Sequence, residues 1–322
     1  VRPLTVLVIA HPNDRELAAL ERLPDDTRIV AGDSVEALEA AAPDADAVLC
    51  WWGGREVLEQ LWPKARRVRW VHSSSAGVEN VLFPALVESL VPLTNARGVY
   101  SESLGEFVIA AMLHFAKDLR RMVRSQAAGL WDPFDVEMIS GKRLGIVGYG
   151  DIGRAIAGRA RALGMDVWAL RRRPELCRED PLVSRAFGFE ARKELLAASD
   201  YIAAAAPLTS ATRGLIGVEE IAAMKQSAVL INVGRGPVVD EAALIAALEQ
   251  KRIRGAALDV FDREPLEAGH PFYRLENVLL SPHTADHTAG WQAASMEFFI
   301  ENFERFRRGE PLRSLVDKRA GY

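Results

Sequence analysis

The chain predicts an α/β protein of two doubly wound, parallel-sheet lobes with a cleft between them. Three observations predict it. The 322 residues, of which 49% are apolar, are enough for two cores at roughly 150 residues per domain. Short apolar runs alternate with helical patterns over the first hundred residues, and a second series of the same kind begins at Lys142. A glycine-rich turn follows the first apolar run of that second series.

Taken in order, Leu4–Ile9, Arg28–Val30, Ala47–Cys50, Val68–Val71 and Val91–Leu93 read as strands, apolar as expected for a sheet covered on both faces. A long helix is expected from about Ser101 to Ser125, because Leu104, Val108, Ala111 and Phe115 recur on one side. Further strands are expected near Leu144–Val147, Val167–Leu170, Tyr201–Ala206, Val229–Val233, Ala256–Val260 and Val278–Leu280. A last helix, from Ala285 to about Arg308, is free under the packing rules to return to the first lobe. The expected lobes are therefore residues 1–98 completed by 286–322, and residues 99–285.

A formal charge of -4 gives no footprint for nucleic acid and no polybasic anchor for a membrane. The apolar run Leu4–Ala10 is too short to span a bilayer and reads as a buried strand. Cys50 and Cys177 stand far apart and form neither a redox pair nor a metal-ligand pattern. A cytoplasmic protein without a metal site is the expectation.

The turn Gly148-Tyr149-Gly150-Asp151-Ile152-Gly153 follows a strand and opens a helix stopped at Gly164, the context that a Rossmann-like dinucleotide site requires. Gly148 permits the tight turn, Gly150 lets a pyrophosphate approach the backbone, and Gly153 lets the helix lie close to the strand. Asp151 and Ile152 in this turn, and Val233 at the end of the expected strand Val229–Val233, complete the expected cofactor contacts. Eighteen residues beyond Gly153, where an NAD site carries an acid for the ribose hydroxyls, stands Arg171, followed by Arg172 and Arg173. Asp166 opens its strand, too early to reach the ribose. An acid would repel a 2′-phosphate and guanidinium groups pair with it, so NADP(H) is expected over NAD(H). A solvated basic turn is the plainer alternative.

Arg235, Glu264 and His283 each fall at or just past the carboxyl end of an expected strand, where open α/β sheets place ligands. Glycines on both sides of Arg235 leave its guanidinium room to bridge a carboxylate or polarise a carbonyl, though alone it reads equally as a surface Arg in a turn. A carboxylate hydrogen-bonded to an imidazole favours the charged ring and makes a proton donor available near neutral pH.

With these segments in this order, the chain resembles the D-isomer-specific 2-hydroxyacid dehydrogenases from about Ser73 to Leu312. The resemblance rests on Gly148–Gly153, Asn232–Asp240, Asp259–Pro265 and Ser281–Ala285. It departs where many members carry Ala, at Gly234 and at Gly105 before Glu106. The resemblance implies that Arg235 holds the substrate carboxylate and keto oxygen, that His283 donates the proton, and that Glu264 tunes His283. It also implies that Asp259 binds the nicotinamide carboxamide. Within Ser73–Val78, it implies that Gly77 and Val78 offer backbone N–H groups to the substrate carboxylate. Trp51 and Trp52 are similar to the tryptophan that walls the pocket in glyoxylate and hydroxypyruvate reductases, with packing between the lobes as the alternative. The segment around Trp131 implies a homodimer contact, with an exposed loop residue as the alternative.

The expected activity is reduction of a small 2-keto acid of the glyoxylate or hydroxypyruvate type. Oxidation of phosphoglycerate, phosphite or formate, and a nucleotide-sensing binding protein of the same fold, are the rivals.

Overall fold

Twelve strands, all parallel, form two sheets in the computed structural model, which describes residues 2–322. The first unit, up to Tyr100 together with Thr288–Tyr322, holds β1 (Leu4–Ile9), β2 (Thr27–Gly32), β3 (Ala47–Cys50), β4 (Trp70–Ser73) and β5 (Leu93–Asn95) in the order β2-β1-β3-β4-β5. Side chains alternate across a strand, so β1 sends Leu7 and Ile9 into one core and Val6 and Val8 into another. Its largely apolar sequence, interrupted only by a buried Thr5, follows from having both faces covered. The helix Trp291–Arg308 covers the second face with Met296, Phe299, Ile300 and Phe303, which is why the chain returns to this unit at its end.

The second unit, Ser101–His287, holds β6 (Arg143–Val147), β7 (Asp166–Leu170), β8 (Arg185–Phe187), β9 (Tyr201–Ala204), β10 (Val229–Asn232), β11 (Gly255–Leu258) and β12 (Val278–Leu280). Their order, β12-β11-β10-β9-β6-β7-β8, reverses direction between β6 and β9, the switch point at which open sheets of this kind bind ligands.

Two expectations are corrected, and one strand is added. The helix expected over 101–125 is two, Ser101–Ala116 and Leu119–Ala127, because Asp118 takes a left-handed φ of 46° and caps the second by accepting from Arg121 N–H. The last helix starts at Trp291 rather than Ala285, after Gly290 at φ 80°, and residues 281–287 are loop. Edge strand β8 has no counterpart in the sequence reading, since three residues with one buried Phe make no periodic signal.

His72 lies fully buried beneath the aromatic rings of the first unit. Thr94 Oγ1 accepts Trp70 Nε1–H at 2.8 Å and shares a hydrogen bond with His72 Nδ1 at 2.7 Å. His72 Nε2 finds no partner. Burial pushes the imidazole down to about 3 from an ordinary 6.5. The unfolded chain therefore takes up this proton before the folded one does. The stability is complete above pH 6.5 and is lost as pH falls from there toward 3. Urea unfolding from pH 7 to 4.5 should show this loss, reduced in His72→Leu; parallel pH dependence in the two proteins would refute the assignment.

Candidate active site

Five of the seven strands in the second sheet, β6, β7, β10, β11 and β12, are followed at their carboxyl ends by loops that carry expected site residues. At the switch point, Gly148 takes φ 96°, and a Cβ there would lie 2.5 Å from the backbone of Ala206. A Cβ on Gly153 would meet Gly148 O at 2.6 Å, so the helix Asp151–Ala162 can start this close to β6 only with glycine. Gly234, where many relatives in the resemblance carry Ala, would bring a Cβ to 2.7 Å from Ala206 O, so here the small-for-small exchange matters to packing. Gly150 differs from these three. A Cβ on it would meet nothing within 4 Å, so what its bareness spares is space at the N-terminus of a twelve-residue helix. That space suits a dinucleotide pyrophosphate. Asp151 and Ile152 open the helix, and Val233 is buried at the exit of β10 with its N–H on Ala204 O.

Arg171 leaves the end of β7 with its N–H on Phe187 O and its Nη1 3.8 Å from Cys177 Sγ; Arg172 beside it is exposed. Asp166, at the start of β7, is taken by Arg143 at 2.9 Å.

Beyond β10, Asn232 ties the Arg235 loop by accepting from Gly234 N–H at 3.1 Å and donating to Arg235 O at 3.1 Å. A Cβ on Gly236 would stand 1.9 Å from the Phe261 carbonyl carbon, so only glycine lets this loop close on the one after β11. There Glu264 Oε1 accepts from Phe261 N–H at 2.9 Å, and Oε2 meets His283 Nδ1 at 2.6 Å. Burial alone would raise the Glu264 carboxyl, but the bonds from His283 and Phe261 N–H and the charges of His283 and Arg235 outweigh it and hold it low. The hydrogen bond to Glu264 raises the His283 imidazole against the opposing effects of burial and of Arg235. The Arg235 loop thus lies against the loop that carries Glu264, and Glu264 is bonded to His283.

His283 carries a left-handed φ of 54°, uncommon for a side chain of its size. What holds it is Asp259, 1% exposed, whose Oδ1 accepts Ser281 Oγ at 2.6 Å, Thr284 N–H at 2.9 Å and Ala285 N–H at 3.1 Å. Ser281 and Thr284 thus belong to the site, although the sequence reading gave them no role. Their serine and threonine hydroxyls flanking a Pro-His pair were the available signal.

In the first unit, the loop after β4 is strapped down at Ser74, whose carbonyl accepts Tyr100 Oη at 2.6 Å and Ser295 Oγ at 2.8 Å, and whose Oγ accepts Trp52 N–H at 2.9 Å. Gly77 is partly exposed there and the Val78 side chain is buried in the core. Trp51 is 5% exposed and packs in the core with Trp70 and Phe299, so its ring is the poorer candidate for a pocket wall. Trp52 is the partly exposed one, against Trp291 at 4.7 Å between centroids.

Replacing Gly150 by Ala should leave the unfolding midpoint within about 1 °C, since the methyl meets no protein atom, while weakening dinucleotide binding at least about tenfold. Full affinity in that variant, read by calorimetry, would remove Gly150 from the cofactor cradle.

Residues 109–285 match the family model described as "D-isomer specific 2-hydroxyacid dehydrogenase, NAD binding domain". The chain is 33% identical over 317 residues to a D-3-phosphoglycerate dehydrogenase of Methanocaldococcus jannaschii, covering 97% of this chain but spanning only 59% of that relative's length. It is 35% identical over 263 residues to a glyoxylate/hydroxypyruvate reductase B of Yersinia pestis, covering 80% of this chain and 79% of that protein. Among solved structures, a D-isomer specific 2-hydroxyacid dehydrogenase from Xanthobacter autotrophicus Py2, in complex with NADPH and MES, superposes with a TM-score of 0.82 at 30% identity over 100% of both chains. With its two parallel sheets, its glycine turn and more than half its length inside the family model, the chain belongs to the D-isomer specific 2-hydroxyacid dehydrogenase family of oxidoreductases.

Proposed function

We propose that this protein reduces a small 2-keto acid of the glyoxylate or hydroxypyruvate type to the D-2-hydroxy acid, with NADPH preferred to NADH. The observation that carries this reading is the 2.6 Å bond between Glu264 and His283 within the electrostatic reach of Arg235. A reduced nicotinamide supplies a hydride to the keto carbon when bound. The protein's own residues then have three tasks. The Arg235 guanidinium offers a fork to the carboxylate and the keto oxygen, which holds the substrate and draws charge toward that oxygen. His283, protonated and bound through Nδ1, gives its Nε2 proton to the oxygen as negative charge builds there. Glu264 keeps that proton on the ring up to higher pH and stabilises the imidazolium until transfer. In the first unit, Gly77 and Val78 are the proposed backbone donors to a substrate carboxylate.

Gly148, Gly150, Asp151, Ile152, Gly153 and Val233 would hold the dinucleotide, and Asp259 its carboxamide. Arg171 and Arg172 support the choice of NADPH, as pairing partners for a 2′-phosphate at a position without an acid. The Yersinia relative's name supports the substrate class. A homodimer belongs to the same proposal. Val123, Leu130 and Trp131 are 65%, 64% and 97% exposed on an arm that Arg121 pins to Asp132 at 2.7 Å, an ordered apolar surface of the kind that marks an interface. A cytoplasmic location is supported by two free, buried cysteines. Among the described residues no helix is long and apolar enough to cross a membrane.

Initial rates of cofactor oxidation with glyoxylate, hydroxypyruvate, phenylpyruvate and 3-phosphohydroxypyruvate should rank the first two highest. NADPH should exceed NADH by about tenfold or more in kcat/KM. Preference for 3-phosphohydroxypyruvate would overturn the substrate reading, and equal use of NADH the cofactor reading. In Glu264→Gln the imidazole loses the carboxylate that raises its pKa. Because reduction needs the protonated ring, the alkaline limb of the rate profile should then move to lower pH. An unmoved limb would disconnect the two residues.

A further inference from the structure

The connection between β7 and β8, residues 171–184, is fixed to the sheet only at its ends, by Arg171 N–H on Phe187 O at 3.0 Å and Ser184 N–H on Val167 O at 2.9 Å. Between them runs a mostly exposed excursion with one short turn of helix, Pro174–Cys177, and a single buried side chain in that turn, Cys177. Its middle is fastened elsewhere. The Asp180 side chain is 7% exposed and makes three bonds. Oδ2 accepts the Tyr149 hydroxyl at 3.0 Å and pairs with Arg154, and Oδ1 accepts Leu182 N–H at 3.1 Å. Tyr149, itself 6% exposed, stands between Gly148 and Gly150, and Arg154 lies in the first turn of the helix that follows. A carboxylate this buried persists only with such partners, so breaking the pair releases the excursion rather than merely weakening a surface contact. The Arg171 guanidinium leans on Cys177, three residues before Asp180, so its direction depends on where this tie places the helical turn.

We propose that Asp180 is a positioning residue for cofactor selection. Through Tyr149 and Arg154 it holds the Arg171–Arg172 turn against the glycine turn, so that a dinucleotide bearing a 2′-phosphate meets both anion sites already in register. This rests on the reading of Arg171 and Arg172 as the partners of that phosphate. A preset site saves the ordering cost that a loose loop pays on binding, and here the saving falls on the 2′-phosphate alone.

Calorimetric titration with adenosine 2′,5′-bisphosphate and with 5′-AMP separates the two readings, using wild type, Asp180→Asn, Tyr149→Phe and Arg171→Ala. Wild type should favour the bisphosphate. The preference should fall about tenfold in Asp180→Asn, which loses the charge that Arg154 meets, and about threefold in Tyr149→Phe, which loses one neutral partner. Affinity for 5′-AMP should stay within about twofold in both, which also shows that the variants fold. A wild-type preference retained in both variants but lost in Arg171→Ala overturns the role of Asp180 and leaves the cofactor reading standing. Loss of 5′-AMP binding along with the bisphosphate overturns it too, since the tie would then hold the whole site. No preference in wild type overturns the cofactor reading and this one with it.

Discussion

Parallel pairing of all seven strands in the second unit puts every carboxyl end on one edge of the sheet. A parallel strand must be followed by a crossover, so each loop on that edge is free of hairpin geometry and available for chemistry. The glycine turn, the basic turn, the Arg235 loop, the Glu264 loop and the His283 loop all arise from this one constraint, from strands β6, β7, β10, β11 and β12. Residues separated by more than a hundred positions thereby reach the same edge.

Bringing the loops to one edge does not set their distances, and the close approaches are set by atoms that are missing or charged. The absent Cβ of Gly236 lets the Arg235 loop touch Phe261, next to the segment that carries Glu264. Three donors converging on a single Asp259 oxygen hold His283 in a backbone conformation it would otherwise leave. Glu264 divides its two oxygens between the backbone of its own loop and the imidazole, so the carboxylate that meets His283 is itself tied to its loop. The electrostatics follow from that geometry. Arg235 opposes the protonation of His283, and the hydrogen bond from Glu264 exceeds it, leaving the imidazole above its ordinary pKa while a cation stands within reach.

Strands such as Leu4–Ile9, Ala47–Cys50 and Val278–Leu280 were legible in the sequence to the residue, because each is a short, largely apolar run bounded by polar or turn residues. Arg235, Glu264 and His283 were legible as a set because each follows such a run. The break at Asp118 was not, since the apolar spacing continues on either side of a residue whose left-handed turn is a local choice. Asp259 was assigned to a ligand by resemblance, while its side-chain Oδ1 in the structure serves the His283 loop. Partners 22 to 26 positions away leave no periodic trace. Trp51 and Trp52 are identical in sequence terms, and only the core around Trp70 separates the buried ring from the partly exposed one.

In the proposed reaction His283, held by Glu264, supplies the proton that a keto oxygen takes up on reduction. Single-turnover reduction of glyoxylate by His283→Asn, with cofactor affinity measured separately by fluorescence, tests it most directly. The rate should fall by about 10²–10⁴, the usual contribution of a general acid, with reduced-cofactor affinity unchanged within about twofold. An undiminished rate, or a loss accounted for wholly by weaker cofactor binding, would contradict it.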